Sequence, residues 1–401
     1  MTNVTIVAAA DALACAAARH SLSRPGASIE QITNELVGLH NTSPAGPYLS
    51  VRARFPGFDR ADLASAMWDH WDLARLRAMR LTMFVFTREL LSIAAGATRH
   101  LTGGLAARWL RDSGLTEYDF DQLADAVEAA LAEGPMTVRD LRRNLDVAPP
   151  VDLPGVVSRM CDAGRLVGGA PPRSWRSSVR RYHRWADVLP GVDLHAWREE
   201  VAITELIRRY VRSYGPVTVS DISWWTGFTK EKCRTALASL AEDVEEVAVE
   251  GWPGPLFRIG GGHTGEEFGD TVHALPLLDP YVQGYRERAR FLDPALLDYV
   301  YDGGGNSTAT LVHRGRIIGV WQATDQPTES IRYHLFADQP GSLRRAAETD
   351  LVAAGALYFD ASVDVIEVSN MQPLSAGGGR SASHPLDEQL HRVARRRQET
   401  S

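Results

Sequence analysis

A short sequence pattern that occurs twice constrains the fold of this 401-residue chain. Residues 135–140 and 216–221 both read Pro-[Met/Val]-Thr-Val-x-Asp, where x is any residue. Each pattern follows one predicted helix and opens a second, and a third helix and short β runs come next. This order is typical of a winged helix, so the sequence predicts two such units in tandem.

The sequence pattern is different on the two sides of this repeat. The first 118 residues have helical periodicity, with helices expected near 7–23, over 28–39 with Ser28 as its cap, and over 62–75. Beyond residue 260 the chain has short β runs, Gly-rich loops and one helix near 341–357.

The predicted fold class is α+β, with tandem winged-helix domains followed by a β-rich C-terminal domain. The tail is Gly- and Ser-rich, so we expect it to be flexible, with one short basic helix. The predicted units are 1–118, 119–190, 196–260, 265–372 and this tail, 373–401.

Composition excludes several classes of protein. No stretch approaches the roughly 20 apolar residues of a membrane span, so we expect a cytoplasmic protein that does not contact membranes. The three cysteines are far apart, which argues against a disulfide framework or a zinc site. We therefore expect no metal and no cofactor. The net charge of −7 argues mildly against attraction of nucleic acid to the whole surface.

One stretch of the chain is strongly positive although the net charge of the whole chain is negative. Residues 173–185 combine five arginines with three aromatic residues, at the place where the wing of a winged helix is expected. Contact with DNA phosphates is the natural use of such a stretch. The alternative is an arginine-rich hairpin that packs its aromatic residues inward. The candidate DNA-binding residues here are Arg173, Arg176, Arg180, Arg181, Tyr182 and Arg184, and Arg80 is a weaker candidate in the first module.

A polar triplet, His40-Asn41-Thr42, marks the candidate site for chemistry. It follows the apolar run of the helix expected over 28–39 and precedes a Pro-Ala-Gly-Pro turn. The alternative interpretation is structural: His40 would interact with the last carbonyls of that helix, and Thr42 would belong to an ordinary turn.

Several long segments carry a family resemblance. They are LVGLHNTSPAGPYLSVRARFPGF, MWDHWDLARLRAMRLTMFVF, LIRRYVRSYGPVTVSDISWWTGF, LDPYVQGYRERARFL and ATLVHRGRIIGVWQ. In content and order they resemble the winged-helix DNA glycosylase superfamily typified by AlkZ and YcaQ. The resemblance implies three winged-helix units, the first carrying the active site, and a β-rich C-terminal domain. One of these segments contains Asp279, Tyr281, Gln283 and Arg286, which either line the DNA-facing cleft or fix a domain junction.

The residues at the family's catalytic positions differ from the family pattern. Members carry Gln-x-Gln or Gln-x-Asp where this chain has His40-Asn41-Thr42, and commonly a Thr-Leu-His run where it reads Leu81-Thr82-Met83-Phe84. The implied reaction is hydrolysis of the N-glycosidic bond of an alkylated purine in double-stranded DNA. His40 would accept the proton of the attacking water, and the Thr42 hydroxyl would hold that water. Asn41 would point away.

The resemblance therefore predicts a monomeric DNA glycosylase that removes bulky N7-alkylguanine or N3-alkyladenine adducts. Its role would be repair or self-resistance to an alkylating natural product. Lysine occurs only at Lys230 and Lys232, far in sequence from His40, which predicts a monofunctional enzyme without Schiff-base chemistry. Two alternatives remain: an inactive descendant that binds adducted DNA, and a winged-helix regulator whose helix at 230–242 reads the major groove.

Overall fold

The computed structural model has a mixed α+β fold, which confirms the coarse fold prediction. It describes residues 4–147, 151–260, 270–369 and 371–374. The expected flexible tail and its short basic helix lie outside the described residues, except for residues 373 and 374. No helix in the described ranges combines the length and the apolar character that crossing a bilayer requires.

The first module contains a three-stranded antiparallel sheet as well as helices. Its sheet has the strand order β2, β4, β3, and it packs against α5. The elements are β1 (Thr5–Val7), α1 (Ala9–Arg19), α2 (Ile29–Glu35), β2 (Leu39–His40), α3 (Gly46–Arg52), α4 (Arg60–Trp68), β3 (Leu73–Arg77), β4 (Met83–Thr87) and α5 (Arg88–Ser113).

The helix predicted over 28–39 ends earlier than expected. Ser28 caps α2 with its side chain, as predicted. The helix then stops because Val37 and Gly38 have φ angles of 53° and 103°, which an α-helix does not contain. His40 follows in β2, where it pairs with β4. The placement of His40 at a helix C-terminus was therefore wrong, and so was the half of the structural alternative in which His40 interacts with the last carbonyls of that helix.

The helix predicted over 62–75 was also wrong in its second half. α4 ends at Trp68, and Trp71 has a φ of 56°, so the helix cannot continue through it. Residues Leu73–Arg77 form β3, every residue of which pairs with β4. The 26-residue α5 was not predicted.

The repeated pattern marks the start of a helix at both places. Thr137 and Thr218 are N-caps whose side chains accept a hydrogen bond from the backbone of Asp140 and Asp221, three residues on. Each carboxylate in turn accepts from the backbone of the capping threonine, which completes a capping box. The elements are α6 (Glu117–Leu131), α7 (Val138–Asn144), α8 (Leu153–Asp162), β5 (Leu166–Gly168), β6 (Tyr182–Arg184), α9 (Trp185–Val188), α10 (Glu199–Tyr214), α11 (Val219–Thr226), α12 (Lys230–Ser239), β7 (Val244–Val249) and β8 (Leu256–Ile259).

The C-terminal module is a five-stranded sheet covered by one long helix. Its elements are β9 (Val272–Leu275), α13 (Pro280–Gln283), α14 (Leu297–Val300), β10 (Thr310–His313), β11 (Arg316–Thr324), β12 (Ser330–Leu335), α15 (Gly341–Phe359) and β13 (Asp364–Glu367). The strand order is β13, β12, β11, β10, β9, with only the β12–β13 pair parallel. The long helix α15 matches the one predicted near 341–357.

The modules share a hydrophobic core. One continuous cluster of buried residues joins α1, the β3–β4 hairpin and α5 to α10, α11 and α12, and extends into α13 and β11. In addition, β1 at the N-terminus pairs in parallel with β7 of the third unit. The unit from α6 to β5 has a separate core. This packing fixes β2 and the β3–β4 hairpin against distant parts of the chain.

Candidate active site

The sheet of the first module fixes His40. Its backbone pairs with Phe84 of β4, and Asn41 N–H donates to Met83 O over 2.8 Å. The imidazole packs edge-on against the Phe84 ring, with centroids 4.9 Å apart. His40 is therefore a half-buried side chain on a rigid strand.

A small pocket lies against the His40 ring. Its volume of about 20 Å³ suits a single water molecule. The pocket combines residues of the β3–β4 hairpin with residues of the third and C-terminal modules. They are His40, Met79, Arg80, Thr82, Phe84, Trp225, Pro280 and Gln283.

The surroundings keep the imidazole neutral. Burial lowers the pKa of His40 to about 4, and the positive charge of Arg80 acts in the same direction, whereas Asp279 opposes it. At neutral pH the ring therefore carries one proton. Thr42 N–H points at Nδ1 over 3.4 Å, longer than the usual hydrogen-bond range of roughly 2.7–3.2 Å. Nε2 has no hydrogen bond to another described residue.

The three residues of the triplet face different surroundings. Asn41 is 4% exposed, and its side-chain oxygen accepts a hydrogen bond from Arg75 Nε, away from His40. Thr42 is exposed, and it is not among the residues that line the His40 pocket. The structure therefore brings His40 and Thr42 together through the Thr42 backbone rather than through its hydroxyl.

Gln283 lies at this pocket although sequence reasoning gave it no catalytic role. Its side-chain nitrogen donates to Gly305 O over 3.1 Å, and its side-chain oxygen accepts from Ser307 N–H over 3.0 Å. The carboxamide is thus held by backbone groups on both sides. Through the segment LDPYVQGYRERARFL, the sequence analysis assigned it to the DNA-facing cleft or to a domain junction.

Arg80 and Arg286 lie beside one aromatic ring. The Arg80 guanidinium carbon is 3.9 Å from the ring centroid of Trp224, and that of Arg286 is 5.4 Å from it. Arg288, which the sequence analysis did not single out, lies 5.2 Å from the same ring and 3.5 Å from that of Tyr301. Three cationic side chains therefore surround a half-buried tryptophan next to the His40 pocket.

The arginine-rich stretch borders a groove. This groove of about 760 Å³ runs between the start of α7 and residues 172–182. Arg173 and Arg181 of the stretch are exposed, and Arg173 lines the groove together with Arg139 and Arg143 of α7. An exposed guanidinium row along a groove is suited to DNA phosphates.

The other arginines of the stretch contact groups within the protein. Arg176 lies 4.6 Å from the Tyr358 ring centroid, and Arg184 forms an ion pair with Asp187 at 2.7 Å. Arg180 is 5% exposed and donates to backbone carbonyls of its own loop. Tyr182 is half-buried in β6. In this conformation these residues support the loop, and only Arg173 and Arg181 are freely presented.

The family of the chain follows from comparison with known proteins. A family model described as DNA glycosylase AlkZ-like matches residues 33–395. The chain belongs to the AlkZ-like DNA glycosylase family. An interstrand DNA cross-link repair glycosylase from Streptomyces sahachiroi is 23% identical over 333 residues, which cover 76% of this chain and 84% of that protein.

The fold of this AlkZ-like chain also has a solved counterpart. The structure of Streptomyces sahachiroi DNA glycosylase AlkZ is similar, with a TM-score of 0.70 and 21% sequence identity. The similarity covers 91% of this AlkZ-like chain and the whole of that one. Among the described residues, no three His, Cys, Asp or Glu side chains lie close enough together to bind a metal ion.

Proposed function

We propose that this AlkZ-like chain is a monofunctional DNA glycosylase that hydrolyses the N-glycosidic bond of bulky N7-alkylguanine or N3-alkyladenine. The observation that carries the proposal is the neutral His40 imidazole, fixed on a strand beside a pocket of one-water size. The role would be repair, or protection from an alkylating natural product. The name of the Streptomyces relative, a cross-link repair glycosylase, supports this substrate class.

We further infer three winged-helix units, at 1–118, 119–190 and 196–260. In the first, α2, β2, α3, α4, β3 and β4 follow one another in the order helix, strand, helix, helix, strand, strand. In the other two, three helices precede two antiparallel strands. Residues 265–372 would form the β-rich C-terminal domain. The core shared by the first and third units would fix His40 relative to DNA bound across both.

The proposed reaction does not require the protein to protonate the leaving base. An N7-alkylated purine is cationic, so it leaves as a neutral base that takes the electrons of the breaking bond. Water adds its oxygen to C1′ as the bond to the base breaks, and its proton passes to the unprotonated nitrogen of the His40 ring. A neutral imidazole whose conjugate acid has a pKa of about 4 is a base comparable to a carboxylate, for which the ordinary value is ~3.9. Such a base can orient the water while positive charge develops on the sugar.

The Thr42 hydroxyl stays part of the proposal as a second water contact. Thr42 is exposed in the free protein, so its hydroxyl would meet the water only when DNA covers the site. Its backbone N–H already points at Nδ1 of His40, which sets the orientation of the ring. The hydroxyl and the ring would then act on one water from neighbouring positions.

The positions of the two lysines support a monofunctional reaction. Lys232 Nζ lies 3.2 Å from Glu199 Oε1, and Lys230 is exposed at the start of α12. Neither lysine lines the His40 pocket. Without an amine near C1′, the product would be an abasic site rather than a cleaved strand.

An assay of base release tests the proposal. Wild-type protein is incubated with a duplex oligonucleotide that contains 7-methylguanine or a bulkier N7 adduct, and free base is measured by mass spectrometry. We expect released alkylbase together with strands that break only after alkali. Absence of release at stoichiometric protein, combined with tight dimeric binding to one DNA sequence, would favour the regulator instead.

The two exposed arginines of the stretch, Arg173 and Arg181, should contribute to DNA affinity through phosphates. Each phosphate contact adds about 0.9 to the slope of log affinity against log salt concentration. We expect Arg173→Ala combined with Arg181→Ala to lower this slope by about 2 and to weaken binding of undamaged duplex DNA. Arg184→Ala is the matched control, because its guanidinium is already paired with Asp187. Equal slopes for wild type and the double variant would place the DNA elsewhere.

A further inference from the structure

The tip of the β3–β4 hairpin has an unusual backbone. Thr82 N–H donates to Met79 O over 3.1 Å, which closes a tight turn with Arg80 and Leu81 at its centre. Both central residues are left-handed, with φ angles of 54° and 60°. Two-residue hairpin turns with this backbone strongly favour glycine and asparagine, because a larger side chain is strained there. The chain instead has two long side chains at this tip.

The contacts of the Arg80 side chain explain why an arginine stands in this strained turn. The Leu81 side chain has no comparable contacts with the part of the chain that the structure describes. Arg80 stacks on Trp224 and lines the His40 pocket. Leu81 is 36% exposed and belongs to none of the hydrophobic cores of the described residues. The strain at Leu81 is therefore not offset by burial. Such strain is characteristic of functional sites.

The turn is adjacent to the candidate catalytic residue. Thr82, the next residue, lines the same pocket as His40. Phe84, two residues later, pairs with His40 across the sheet. A nucleotide whose C1′ lies against His40 would therefore bring its neighbours in the duplex against Leu81. Proteins that open DNA from the minor groove use this combination, an apolar wedge beside a cationic side chain.

We propose that Leu81 is a wedge that enters the base stack beside the adduct and holds the duplex open while water attacks C1′. The inference rests on the proposed glycosylase function and names how that site gains access to C1′. Leu81 acts here as a positioning residue. Its partner is a duplex base step, weakened by the neighbouring lesion.

The test uses the full-length protein and a fluorescent duplex. 2-Aminopurine is placed next to a 2′-fluoro-7-methylguanine, which resists excision, so that fluorescence reports unstacking on binding. We expect a several-fold rise with wild type and with Leu81→Met, and little rise with Leu81→Gly or Leu81→Ala. Ile366→Ala, which removes a 45% exposed apolar side chain on β13, is the matched control and should behave as wild type.

Two further measurements separate the wedge from a folding defect and from failure of the proposed function. Leu81→Gly should melt at a higher temperature than wild type, because glycine relieves the positive φ, while its excision rate on duplex DNA falls at least tenfold. Excision from a single strand should be unchanged, since no stack has to be opened. If wild type is active and Leu81→Gly matches it both in excision rate and in fluorescence on binding, the wedge is overturned and the glycosylase is not. Inactive wild type overturns the glycosylase and, with it, the wedge.

Discussion

Replacing His40 by alanine is expected to lower the rate of alkylbase release by about 100- to 10,000-fold, the usual contribution of one general acid–base group. The expected loss is large because no other histidine and no carboxylate is among the residues that line the one-water pocket. Single-turnover release of 7-methylguanine from a duplex oligonucleotide measures it. DNA affinity should be nearly unchanged, since the residue lies on a fixed strand.

Two controls define what the imidazole contributes. His40→Gln restores the carboxamide of the family pattern and should retain more activity than His40→Ala. Thr42→Val keeps the backbone N–H that points at Nδ1 but removes the hydroxyl, so a loss of about tenfold is expected, the value of one hydrogen bond. If His40→Ala releases base as fast as wild type, the catalytic residue lies elsewhere even if the enzyme class is right.

The pH profile gives a second readout of the same residue. Because burial and Arg80 lower the pKa of His40 to about 4, the ring stays neutral from pH 7 down to about pH 5. The acid limb of the enzymatic rate, after subtraction of spontaneous depurination, should therefore lie near pH 4. A limb near ~6.5 would indicate a solvated imidazole. The folded state also takes up fewer protons than the unfolded state, so this histidine lowers stability as pH falls from ~6.5 through 4.

Local signals in the sequence were sufficient for part of the fold. Capping residues such as Ser28, Thr137 and Thr218 act within three residues of themselves, so they predicted helix starts correctly. β2 was not predicted because it is two residues long and forms only by pairing with β4. β3 was read as helix because the turn at Trp71 leaves no local composition signal.

In the candidate site, too, local sequence indicated some features, whereas others depend on residues far apart in the chain. His40 was reached through its neighbours in sequence and a family pattern. Its partners Trp225 and Gln283 lie far along the chain, and only the shared core brings them to the pocket. The sequence left two interpretations of the arginine-rich stretch open, contact with DNA phosphates or a hairpin that packs its aromatic residues inward. Arg173 is presented to solvent, whereas Arg180 faces inward, a difference that residue type alone does not encode.

Replacing Arg54 by methionine is expected to cause the largest loss of stability, about 3–5 kcal/mol. The Arg54 and Asp279 side chains are completely buried and are joined by two hydrogen bonds of 2.7 and 2.9 Å. Arg54 also donates to the carbonyls of His20 and Ser50. Methionine fills much of the volume but leaves the Asp279 carboxylate buried without its counter-charge.

The effect should extend to the His40 pocket. Asp279 caps α13, whose Pro280 and Gln283 line that pocket, so a shift of the carboxylate should move both. Urea unfolding of wild type, Arg54→Met and the double variant Arg54→Met/Asp279→Leu measures the free energies. The double variant should recover part of the loss, because it removes the orphaned charge. Arg314→Met is the matched control, since the exposed Arg314–Asp270 pair contributes little. Equal losses for Arg54→Met and Arg314→Met would show that the buried pair stabilises the fold no more than an exposed pair does.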